Sequence, residues 1–102
     1  MSTQPHLACF WRKLHKLTRG RIDVLRAMEI CIKEESDADF RSVLEAVYST
    51  LRSGTLLSEA LDKQPEVFSV SVRELVRSAE RSGAWDDILP IIAEGLTDET
   101  FD

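Results

Sequence analysis

Apart from its carboxylates, this 102-residue chain has few side chains that could run a reaction: two histidines, His6 and His15, and two cysteines, Cys9 and Cys31. A nucleophilic thiol needs a base within hydrogen-bond reach. His6 falls in a short leader and His15 on the basic side of a helix, and neither spacing makes a dyad with Cys9 or Cys31. Zinc-type pairs such as Cys-x-x-Cys or His-x-x-x-His are absent, as is a glycine-rich phosphate cradle. Both cysteines sit among apolar residues at helical spacing, which predicts two buried, reduced thiols rather than a disulfide. Glu34-Glu35, Asp37 with Asp39, Glu80 and Asp86-Asp87 offer oxygens to Ca²⁺, yet no segment has the alternating acidic loop and central glycine of an EF-hand. Most of these acids fall where a first-turn carboxylate favours the helix dipole, so capping is their simplest role. The chain reads as not an enzyme, with no cofactor required.

The charges are unevenly spread. The formal net charge is −5, but Arg12, Lys13, Lys16, Arg19, Arg21 and Arg26 face only Asp23 near the N-terminus, and the stretch from Asp86 onward carries acids alone. One basic helical face is the usual phosphate footprint, so a nucleic-acid-binding regulator using the first helix is the alternative reading. Against it stand the acidic total and the lack of a second helix with base-reading side chains. The N-terminus has no signal-peptide pattern, and no stretch has the ~18 to 20 apolar residues of a membrane span. As written, the sequence predicts a cytoplasmic domain.

These groups must be positioned by helices. Leu7, Phe10, Trp11, Leu14 and Leu17 recur at three- and four-residue steps, giving a first helix that ends near Gly20. A second runs from about Asp23 to Glu35 with a wide apolar arc and is expected to be the most buried. Ser36, Asp37 and Asp39 can cap a third, with Phe40, Val43, Leu44, Val47 and Leu51 on its stripe and Gly54 after its end. A short fourth, about Leu56 to Lys63, must stop before Pro65. Val67 and Phe68 return to the core. Ser71-Val-Arg-Glu74 reads as a capping box opening a fifth helix that closes at Gly83. A sixth spans about Trp85 to Leu96, with Pro90 expected to kink it or mark a late start. The result is an all-α, compact six-helix bundle of two three-helix halves: a loose leader over 1–6, one domain over 7–96 and an acidic tail over 97–102.

At Ser53-Gly-Thr-Leu-Leu-Ser-Glu-Ala-Leu-Asp-Lys-Gln-Pro-Glu-Val-Phe68 the sequence resembles the cytoplasmic domain of the F (platform) proteins of type II secretion and type IV pilus systems. The likeness continues through Leu75-Val-Arg-Ser-Ala-Glu-Arg-Ser-Gly83 and Trp85-Asp-Asp-Ile-Leu89, which is similar to that family's Gly-Glu-x-Ser-Gly-x-Leu-Asp signature. Ala79 stands for the motif's glycine, Trp85 for its leucine, and Ile22-Asp23 for the usual Gly-x-Pro-Leu opening of helix two. The resemblance implies a six-helix bundle that works by contact. Its partners would be the assembly ATPase, other inner-membrane machinery or a second copy in a homodimer, at the inner-membrane face. It also implies a Ca²⁺ role at a self-association interface for Glu80 and Asp86. Family members lead on into membrane helices, whereas this sequence ends in Thr97-Asp-Glu-Thr-Phe-Asp102, which predicts an excised piece or a free-standing relative. Contact points expected off the main apolar stripes are Tyr48, Ile91 and Phe101, with Arg12 and Lys16 on the basic face.

Overall fold

In the computed structural model, which describes residues 4–97, six helices follow one another: α1 Gln4–Arg19, α2 Val24–Glu34, α3 Ala38–Arg52, α4 Leu57–Asp62, α5 Val70–Ser82 and α6 Trp85–Thr97. No strand occurs among the described residues. Residues 4–6, read from sequence as leader, are the first turn of α1, where Pro5 costs nothing because an amide there has no intrahelical partner.

Local chemistry sets most of the boundaries. Asp23 caps α2 by accepting from the Arg26 amide, and Asp37 caps α3 by accepting from Phe40. Gly83 takes the left-handed conformation that closes α5, at φ 77°, and Gly54 does the same just beyond α3, at φ 99°. A methyl group added to either glycine would meet nothing within 4 Å, so backbone conformation alone requires them. The end of α1 is different. Arg21, not Gly20, is left-handed, at φ 71°. The Ile22 amide donates to the Leu17 carbonyl and the Arg21 amide to that of Thr18, which is the Schellman pattern with an arginine in the glycine position.

The capping box expected at Ser71 is corrected. Ser69 caps α5, accepting from the Val72 amide, and Glu74 pairs with Arg77 instead. Phe68 is buried, and the Arg73 guanidinium donates from Nε to its carbonyl, so the helix starts earlier than the Ser-x-x-Glu pattern suggests. Helix α6 runs through Pro90 without interruption.

Packing also departs from two three-helix halves. Each helix lies against its neighbours in sequence, and α6 closes the ring through its long contact with α1, the most extensive in the molecule. α1, rather than α2, is the best buried. Leu7, Ala8, Phe10, Trp11 and Leu14 are all inside, whereas α2 keeps Val24 exposed and Leu25, Ile30 and Ile32 only half-buried. The aromatic rings explain why. Phe40 of α3 meets Phe10 edge-on at 6.1 Å, Phe10 meets Trp11 at 5.0 Å, and Trp11 meets Phe68 at 6.2 Å. Aromatic side chains bury the largest apolar areas and favour such tilted contacts, so the helix carrying two of them occupies the centre.

Both cysteines are free thiols, but the expected burial holds only for Cys31; Cys9 is exposed. Burial pushes the Cys31 thiol up to about 11. It is therefore a small apolar filler rather than a nucleophile.

Candidate functional site

A large, mostly apolar concavity lies at one end of the bundle. Its volume is about 480 Å³, within the range of small-ligand and side-chain pockets. All three odd-numbered helices reach it near their C-termini, through Leu14 and Thr18 of α1, Leu51 of α3 and Glu80 of α5. All three even-numbered helices open onto it, through Val24 of α2, Leu57 of α4, and Trp85 and Asp86 of α6. The up-and-down ring thus assembles a site that no single segment contains. Two of its apolar walls stand in solvent: Val24 is 38% and Leu56 55% exposed.

The charged side chains lining the groove are all carboxylates, Asp23, Glu80 and Asp86. Their commitments differ. Asp23 accepts the α2 cap bond. Glu80 accepts from the Ser58 amide at 2.8 Å and from the Ser58 hydroxyl at 2.6 Å. Position 56, which caps α4, is a leucine with no oxygen to offer, so Glu80 on α5 supplies from 22 residues away what a local aspartate or serine usually does. Asp86 is exposed, with one oxygen 3.6 Å from His15 Nε2.

This arrangement relocates several residues expected to act. Glu80 and Asp86 share the groove, but Glu80 spends both oxygens on Ser58 and only Asp86 is open. Ca²⁺ takes six to eight oxygens. No group of three or more acidic, histidine or cysteine side chains among the described residues is arranged to hold a metal. The Ser58 hydroxyl sits beside a carboxylate yet is only 1% exposed, and it serves the cap rather than a substrate. His15 is not a surface residue: its side chain is 18% exposed, turned toward Asp86. His6 reaches Glu35 at 2.8 Å, tying α1 to the end of α2.

Among the expected contact points, Ile91 is 50% exposed and lies away from the groove. Tyr48 is half-buried against the core, and its hydroxyl donates to Glu29. That bond holds the Glu29 carboxyl below its ordinary value and pushes the Tyr48 phenol up. Arg12 and Lys16 are exposed on α1, while their neighbour Lys13 pairs with Glu34 at 3.1 Å. Phe101 lies outside the described residues. Sequence reasoning missed Val24 and Leu56. Each falls inside an apolar-looking helix start, and only the convergence of helix ends shows that the described residues leave them partly in solvent.

A second polar clasp holds α4 to α5. Asp62 bridges Arg73 at 3.2 Å and Arg77 at 2.6 Å, and the Arg77 guanidinium holds the Asp62 carboxyl below its ordinary value. With the Glu80 to Ser58 bonds, it fixes the short α4 and so sets the position of Leu56 at the groove mouth.

No helix among the described residues is long and apolar enough to cross a membrane. Residues 10–101 match the family described as "Type II secretion system (T2SS), protein F". A type IV pilus assembly protein, PilC, from Thermus thermophilus is 34% identical over 93 residues, covering 91% of this chain and 23% of that protein. The type II secretion system protein F of Vibrio cholerae is 28% identical over 90 residues, 88% of this chain and 22% of that protein. That of Xanthomonas campestris is 31% identical over 90 residues, with the same coverage. The chain spans less than a quarter of the length of these curated relatives. By the extent of these matches, the chain belongs to the type II secretion system protein F family.

Proposed function

We propose that this domain is a non-catalytic docking module of a type II secretion or type IV pilus machine, acting at the cytoplasmic face of the inner membrane. Through one end of its bundle it meets the assembly ATPase, another machine component or a second copy of itself. The observation that carries the reading is the groove with Val24 and Leu56 standing in solvent beside it. Water-facing apolar walls around a concavity gain free energy when a partner covers them, at about 25 cal/mol per Å².

The reading is tested with purified components. The immobilised chain should retain the cognate assembly ATPase, and Leu56→Asp should abolish retention while leaving the melting temperature nearly unchanged. Equal retention by both proteins removes the groove from the account, and no retention by either removes the ATPase. A calcium ion shared between two copies belongs to the same reading, with Asp86 as the open ligand. It predicts calcium-dependent dimerisation in light scattering that Asp86→Ala abolishes.

The alternative, nucleic-acid binding through α1, draws support from exposed Arg12, Lys16 and Arg19. It is weakened by Lys13 and Arg26, whose partners are Glu34 and Glu29.

A further inference from the structure

Resting on the docking reading above, we infer that the groove's occupant is an amphipathic helix with a basic flank on either side of its apolar stripe, contributed by a protein partner.

The charge argument starts from topology. A helix end carries roughly half an elementary charge, positive at the N-terminus and negative at the C-terminus. The groove is built where α2, α4 and α6 begin and α1, α3 and α5 end, so the three positive ends offset the three negative ones. What is left is side-chain charge. Asp23, Glu80 and Asp86 line the groove with no lysine or arginine among them. Arg19, Arg52 and Arg81 lie in the last turns of α1, α3 and α5, but none lines the groove. Asp23 and Asp86 are exposed, each beside an apolar wall residue, Val24 and Trp85 respectively.

The shape argument concerns what fits. A volume of about 480 Å³ accepts a few large side chains, not a whole domain face. Anchors spaced at i, i+3/i+4 and i+7 along one helix suit a groove of this kind, and lysine or arginine beside them would meet the aspartates. A phosphate-bearing ligand is disfavoured by the same carboxylates.

Trp85 in the groove wall reports occupancy by fluorescence, whereas Trp11 is fully buried in the core. The probes are two synthetic helical peptides with the same leucine stripe, one flanked by lysines and one by glutamates. The lysine peptide should bind about five- to tenfold more tightly at low salt, the scale set by two or three exposed ion pairs. The preference should shrink at high salt. Asp23→Asn with Asp86→Asn, which keeps an α2 cap, should abolish the preference without abolishing binding. Leu56→Asp should weaken both peptides by about tenfold or more, and Val24→Glu, on another wall, repeats the test should the first variant unfold. Equal binding of the two peptides, or binding indifferent to both wall variants, overturns the inference. If neither peptide binds while Leu56→Asp still abolishes ATPase retention, the occupant is wrong and the docking reading stands. Self-association dispersed by Leu56→Asp likewise overturns it, giving the groove to a second copy.

Discussion

Arg21 and Glu80 show how much a single position does here. Arg21 completes the α1 turn at φ 71°, in a region that costs an L-residue roughly 1 to 2 kcal/mol and glycine almost nothing. Arg21→Gly should therefore raise stability by about 1 kcal/mol, after the entropy of the freer unfolded chain is deducted. Urea unfolding measures it, and a lower midpoint would mean that the arginine side chain holds the turn. Glu80 has the opposite sign. Ser58 is buried, so Glu80→Ala leaves an amide and a hydroxyl without partners and should cost about 2 to 4 kcal/mol, with Glu80→Gln milder. If both substitutions left the midpoint unchanged, the α4 cap would be dispensable. The signature that contains Glu80 was legible in the sequence, but its role was not. Ser58 lies far away in the chain, and nothing local to α5 shows that a leucine caps α4.

Among the elements, the pairing of α4 with α5 carries a pH dependence. Arg77 first, and then Arg73, keep the Asp62 carboxyl below its ordinary value of 3.8. A depressed folded-state pKa means that the clasp's stabilisation is present above that value and is lost as pH falls through the lower, folded one. Because Asp62 is partly exposed, the contribution is modest. Asp62→Asn should lower the melting temperature near neutral pH and match the unmodified chain only in acid that has passed the lowered, folded-state value as well as 3.8. A gap that persists unchanged into acid would show that shape, not charge, holds the pair.

At this scale the sequence was a good guide. The 3.6-residue rhythm placed all six helices, and Asp37, Gly54 and Gly83 marked their boundaries by chemistry visible within a few residues. Local pattern failed where tertiary burial competed with it. Phe68 drew the start of α5 back from Ser71 to Ser69, and Trp11 with Phe10 drew α1 to the centre that the broader apolar arc of α2 had suggested for itself.

For the whole molecule, the ring of alternating helices has a consequence that no segment carries alone. Three helix starts and three helix ends meet around one groove, their dipoles offset, and the charged side chains that line it are the carboxylates of Asp23, Glu80 and Asp86. That groove was invisible from sequence because its lining comes from every helix, whereas the off-stripe residues Tyr48 and Ile91 stood out one at a time. Tyr48 then proved to be tied to Glu29. The direct measurement is amide chemical-shift mapping on the isotopically labelled chain as the cognate assembly ATPase is titrated in. The docking account predicts that the largest changes fall on Thr18, Val24, Leu56 and the Trp85 indole, with the Trp11 indole still. Changes centred on Arg12 and Lys16, or on the half of the bundle remote from Leu56, would contradict it.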